Sequence, residues 1–101
     1  MAIFVLHRSF EFEQWLFEQP LKARLQIEDR LLHIVCHGHF GTYKRLVDDI
    51  WELKWANGRR IYYTHVEKYN ILLLLGGNKN GQSKDIAQAK KILRKYTEAT
   101  A

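Results

Sequence analysis

The sequence predicts an α+β domain in which two N-terminal helices pack on a mostly antiparallel sheet, in the order β-α-α-β-β-β-β-α. Three observations predict it. Apolar residues recur at helical spacing from Phe10 to His37, interrupted by Pro20, the sole proline of the chain. Beyond Gly41 the spacing changes to the alternation of strands. Asn57-Gly58 then separates two alternating stretches, and both residues tolerate the positive φ that a two-residue hairpin turn demands.

Taken in order, residues 2 to 8, AIFVLHR, are rich in β-branched and aromatic side chains and read as a strand, after which Ser9 can cap a helix. In that helix Phe12, Trp15, Leu16 and Gln19 share a face, while Glu11 and Glu13 lie at the N-terminal end where the helix dipole favours anions. Pro20 ends it. A second helix, antiparallel to the first, runs from Leu21 to His37 with a wide apolar stripe of Leu21, Leu25, Leu32 and Val35 flanked by Ile27, Leu31 and Ile34, and Gly38 is placed to terminate it.

TYKRLV, residues 42 to 47, reads as a short strand. In IWELKW, residues 50 to 55, alternation sends Trp51, Leu53 and Trp55 to one side, expected to be the core, and Ile50, Glu52 and Lys54 to the other. After the turn, Arg59, Ile61, Tyr63 and His65 share the core side, and Arg60, Tyr62 and Thr64 the opposite one. NILLLLGG reads as a central strand buried on both faces. Ser83 is expected to cap a last helix with a narrow apolar face of Ile86, Ala89, Leu93 and Tyr96, and with Lys90, Lys91, Arg94 and Lys95 toward solvent.

With 101 residues, nearly half of them hydrophobic, the chain is long enough for one cored domain, residues 1–101, and too short for two. Cys36 is the lone cysteine, so no internal disulfide forms. The N-terminus lacks the layout of a signal peptide, and the longest apolar run, Ile71 to Leu75, is far short of the roughly 20 residues that span a bilayer. The expected setting is cytoplasmic, with no membrane partner. A net charge of +5 and a pI near 9.5 create a field that attracts phosphates or acidic proteins. The excess concentrates around Lys44 to Arg60 and Lys79 to Lys95.

Three constellations carry chemical potential. HIVCHGH places His33, Cys36, His37 and His39 close in sequence, but Cys36 points about 60° away from His33 on a 3.6-residue helix and no second cluster closes a tetrahedron. Histidines at a helix C-terminus and a buried structural cysteine are the expected reading, with no metal and no cofactor. GGNKNG, residues 76 to 81, lacks the spacing of a phosphate-cradling Walker loop, yet its glycines let Lys79 swing over the sheet.

The third constellation is the face bearing Lys54 and Arg60 on either side of the Asn-Gly turn. Two facing cations repel unless something compensates. Glu52 can neutralise one of them as a surface ion pair. Alternatively Arg60 binds a phosphodiester bidentately, Lys54 and Lys79 add charge, and Tyr62 stacks on a base.

These residues resemble the RelE/ParE superfamily of toxins, within it the HigB-like addiction module killer group. The resemblance covers nearly the whole chain through FEQWL, YKRL, IWELKW, NGRRIYY, ILLLLGGNK and QSKDIAQAKKIL. It implies the toxin of a type II toxin-antitoxin pair, commonly a ribosome-dependent, metal-independent endoribonuclease that cuts mRNA. Its partners would be a cognate antitoxin, of helix-turn-helix type, and the ribosome with its mRNA. Matched by motif, the catalytic set would be Lys54, Arg60 and Lys79, with Glu52 a rival to Lys54 as general base. RNA-binding positions would be Lys44, Arg45, Tyr62 and Lys84. The tyrosine that RelE-type ribonucleases often carry early in the last helix is here Ile86. A ParE-like gyrase inhibitor, or an inactive antitoxin-binding module, is the alternative on the same scaffold.

Overall fold

In the computed structural model, which describes residues 2–100, the chain runs β1 (Val5–Arg8), α1 (Phe10–Phe17), α2 (Leu21–His37), β2 (Tyr43–Arg45), β3 (Trp51–Lys54), β4 (Arg59–Glu67), β5 (Asn70–Asn78) and α3 (Gln82–Thr100). The five strands form one sheet in the order β1-β5-β4-β3-β2, antiparallel except where β1 runs parallel to β5. The α+β class and the element order are those read from the sequence.

Ser9 shows how sequence positions the first helix. Its hydroxyl accepts the Phe12 N–H at 2.9 Å, capping α1, and donates to the Leu74 carbonyl at 2.7 Å, fixing that helix to the central strand. Gly38 ends α2 in the left-handed conformation at φ 68°. The strands are trimmed at their ends relative to the sequence reading: β1 begins at Val5 and β2 spans only Tyr43–Arg45.

Two cores sandwich the sheet. Phe12 and Leu16 of α1 and Ile27, Leu31 and Ile34 of α2 bury against Leu53, Ile61, Tyr63, Ile71 and Leu73. On the other face Ile50, Tyr62, Leu72 and Leu74 bury against Ala89 and Ile92 of α3. Here the expectation of a polar second face is corrected: α3 roofs it, so alternation in β3 and β4 selects between two cores, not between core and water.

Three further corrections follow from packing. Leu21, Leu25 and Leu32 are exposed, because α2 meets the sheet through its Ile27-Leu31-Ile34 stripe and an apolar band wider than that contact leaves its outer half in solvent. Cys36 lies on that outer side and is exposed, not core filler. Ser83 does not cap α3: a single 3₁₀ turn, Lys79–Gly81, leads directly into Gln82, and Asn78 caps that turn by accepting the Asn80 N–H at 2.9 Å.

Candidate functional site

Register brings the candidate residues together. Lys54 of β3 lies opposite Arg60 of β4, Glu52 opposite Tyr62, Gly77 of β5 opposite Arg60, and Lys44 of β2 opposite Glu52. Alternation then sets Lys44, Glu52, Lys54, Arg60 and Tyr62 on the face roofed by α3. Arg45, one residue out of phase, falls on the opposite face with its guanidinium 5.6 Å from the Trp51 ring centroid, so the structure separates it from the other cations.

Arg60 is held before any ligand arrives. Its Nη1 donates to the carbonyls of Trp55 (3.1 Å) and Arg59 (2.9 Å), and its Nε stands 3.8 Å from Oε2 of Glu52. The Glu52 side chain is 1% exposed and that of Arg60 12%. Gln82, the first residue of α3, donates its Nε2 to the same Glu52 oxygen at 2.7 Å. Nothing local in the sequence marks Gln82, because its role comes from the roofing of the sheet by α3.

Three buried polar atoms in this cluster have no hydrogen-bond partner: Glu52 Oε1, Arg60 Nε and the Tyr62 hydroxyl. Each such atom costs about 1–3 kcal/mol when desolvated. Burial, then the nearby Glu52 and Asp85 carboxylates, push the Tyr62 phenol well above its ordinary value. The Tyr62 ring itself is fully buried, which corrects the expectation that it stacks on a base: the residues of α3 occupy the space a base would need.

Lys79 reaches the same end of the sheet from the 3₁₀ turn. Its N–H donates to the Gly58 carbonyl at 2.8 Å, and its side chain runs past Gly58, where a Cβ would stand 3.5 Å from Lys79 Cγ. Gly58 has φ +97°, so the turn requires glycine, while the Lys79 side chain would meet an added Cβ only in ordinary contact. Lys54 is half-buried; Lys44, Lys79 and Lys84 are exposed. Lys54 and Lys79 thus stand at the same end of the sheet as a largely buried, carboxylate-balanced Arg60.

The hairpin is braced from the other face by a residue the sequence reading passed over. Arg30 donates to the carbonyls of Phe40 (Nε 3.0 Å, Nη2 2.8 Å), Thr42 (2.7 Å) and Lys54 (2.5 Å), with its guanidinium 4.2 Å from the Trp55 ring centroid. The Arg59 guanidinium lies 5.5 Å from the Trp55 ring centroid on that side, the core side that alternation gives it. Asp85 lies one turn after Gln82, over Gly77: a Cβ there would come within 2.0 Å of its Oδ2. Burial raises the Asp85 carboxyl above its ordinary value.

One hollow, of about 610 Å³, lies past Thr64 at the far end of β4, lined by His7, Asp49, His65 and Tyr96 rather than by these cations. The rings of His33, His37 and His39 follow one another at 6.0 and 5.8 Å, and among the described residues no three potential metal ligands converge. No described helix is long and apolar enough to cross a membrane.

No protein-family model matches the chain. A protein of Haemophilus influenzae, described as uncharacterized, is 35% identical over 85 residues, covering 81% of this chain and 85% of that protein. Among solved structures, an Escherichia coli RelE toxin mutant in the free state superposes with a TM-score of 0.67 at 19% identity, covering 90% of this chain and 97% of that one. The E. coli RelBE toxin-antitoxin complex gives 0.58 at 14% identity, covering 74% and 95%. A RelBE complex from Mycobacterium tuberculosis gives 0.60 at 10% identity, covering 74% and 96%. At these identities the likeness is one of fold.

Proposed function

From a chain that belongs to one family with the H. influenzae protein and has the RelE/ParE-like toxin fold, we propose the toxin of a toxin-antitoxin pair, acting as a ribosome-dependent mRNA endoribonuclease. The observation that carries this reading is that Lys54 of β3, Arg60 of β4 and Lys79 of the 3₁₀ turn after β5 lie at one end of the sheet. Such a set meets the needs of RNA self-cleavage chemistry. The 2′-hydroxyl must lose a proton, the phosphorane must be stabilised, and the 5′-oxygen must gain a proton as its bond to phosphorus breaks.

Arg60 is the stabiliser in this scheme, its guanidinium already oriented by two carbonyls. Lys54, opposite it across the β3–β4 register, is the candidate base. Lys79 supplies charge or the leaving-group proton. Lys44 and Lys84 extend the positive rim along the RNA backbone. Glu52, nearly sealed from solvent, serves better as the counter-ion of Arg60 than as the base. A cognate antitoxin, in our reading of helix-turn-helix type, would neutralise the toxin; support for an antitoxin partner is that two of the similar solved structures are RelBE toxin-antitoxin complexes.

The test is mRNA cleavage on translating ribosomes by Arg60→Ala. Because that change strands the buried Glu52, it is paired with Arg60→Met/Glu52→Gln, which removes both charges at similar volume. Loss of cleavage in both, with native circular dichroism, is the expected result; cleavage retained by the double variant removes Arg60 from the mechanism. The burial of the Glu52–Arg60 pair favours one second reading, a module that binds antitoxin without cutting RNA. A wild-type chain that neither cleaves mRNA nor inhibits growth would select it.

A further inference from the structure

We propose that the outer face of α2 is a self-association surface, on which a second copy of this chain docks its own α2 in antiparallel orientation. Leu21, Leu25 and Leu32 are 62%, 61% and 58% exposed, and Phe17 at the end of α1 is 78% exposed. Large apolar side chains scattered singly need no explanation, but these are contiguous. Leu21, Leu25, Glu28, Leu32 and Val35 follow one another at intervals of four, three, four and three residues. That is the spacing of a helix-helix seam, and it lies beside the stripe that α2 uses internally.

The surface beside the seam is concave. One hollow of about 320 Å³ is lined by Phe17, Leu21, Leu25 and Glu28, and a second of about 550 Å³ by Val5, Glu28, Leu32 and Val35. Arg8 lines both, and its ion pair with Glu28 forms the saddle between them. A single helix laid along the seam would fill the two in succession.

Charge selects the occupant. The seam and its flanks carry Lys22 and Arg24 against Glu28 and Asp29, a balanced set that gives no preference for an acidic partner despite the net charge of +5. A parallel pair of α2 helices would set Glu28 on Glu28 in the same layer. An antiparallel pair sets Leu21 on Leu32 and Leu25 on the stem of Glu28, keeping the carboxylates apart. It also brings Lys22 opposite Asp29 of the second copy, twice by symmetry. Asp29 is exposed, with His33 at 3.7 Å as its ion-pair neighbour, and Lys22 forms no ion pair among the described residues. Both are free to change partners. The surface is complementary to itself.

Sedimentation equilibrium of the full chain tests this. A dimer with a dissociation constant of about 10 μM or tighter is expected. Leu25→Arg/Leu32→Glu, both at exposed positions, should leave circular dichroism unchanged and give a monomer. Lys22→Glu and Asp29→Lys should each weaken association about tenfold, and the combination Lys22→Glu/Asp29→Lys should restore it. A monomeric wild type at about 100 μM, a dimer indifferent to the leucine changes, or single charge swaps without effect or without mutual rescue would each overturn the proposal. So would a chain that stays monomeric until an unrelated helical protein is added.

Discussion

Arg60 faces Glu52 across 3.8 Å inside the sheet–α3 interface, and Gln82 holds the carboxylate in place. Removing one partner of a fully buried ion pair costs about 3–5 kcal/mol, but this pair is longer than a hydrogen bond and Arg60 keeps some contact with water. Glu52→Gln is therefore expected to lower stability by about 1–3 kcal/mol, read from urea denaturation. An unchanged midpoint would mean that another group meets the charge of Arg60.

Gly76 and Gly77 differ in what confronts them. A Cβ at Gly76 would lie 2.3 Å from the Trp15 ring, which is wedged beside Phe12; one at Gly77 meets the end of the Asp85 side chain. Gly76→Ala should destabilise by about 1–3 kcal/mol, as overpacking of a rigid neighbour does. Gly77→Ala should cost less, and Gly77→Ala/Asp85→Ala should recover most of that cost. Thermal melts of the three variants rank them, and an equal loss at both glycines would contradict the difference in neighbours.

Arg30 joins four carbonyl contacts to a stacked tryptophan, a geometry that requires a planar fork. Arg30→Lys is expected to lose about 2–3 kcal/mol and to behave nearly as badly as Arg30→Met. Since one of those carbonyls belongs to Lys54, activity should fall with stability. Full rescue by lysine would show that charge alone suffices.

The pH dependence of α3 docking follows from Glu11 and Lys95, whose side chains are hydrogen-bonded between α1 and α3. Burial by itself raises the Glu11 carboxyl, but the Lys95 bond and a backbone bond outweigh it and leave it below its ordinary 4.5. The bond to Glu11 raises the Lys95 ammonium above 10.5. A lowered carboxyl stabilises the fold above its unfolded value and loses that effect as pH falls through the folded one. A raised ammonium stabilises below its unfolded value and loses the effect as pH rises through the folded one. Protection of α3 amides should thus weaken at the acid end below 4.5 and at the alkaline end above 10.5. Lys95→Met should abolish both changes; acid loosening that persists in that variant would place the titrating group elsewhere.

Much of this fold is legible locally. The Ser9 cap, the Gly38 stop, the Asn57-Gly58 turn and the alternation of β3 and β4 each act within a few residues, and the facing of Lys54 and Arg60 follows from the turn alone. What the sequence hides is which element covers which surface. Tyr62 alternates in phase with Arg60, so it reads as part of an open face until α3 is seen to bury it. Leu25 and Ile27 are equally apolar, and only the angle at which α2 meets the sheet decides that one is core and the other is not. Gln82 and Arg30 act across 30 and 24 residues of chain, respectively, distances at which no periodic signal operates.

The strand order also sets an order of assembly. β2 to β5 are sequential and antiparallel, joined by short connections, so each pairing closes a small loop at modest entropic cost. β1 instead pairs with β5 across the whole intervening chain, Val5 against Asn70. Contacts so distant form slowly, so the four-strand meander should be the folding nucleus and β1, with its two following helices, the last part to dock.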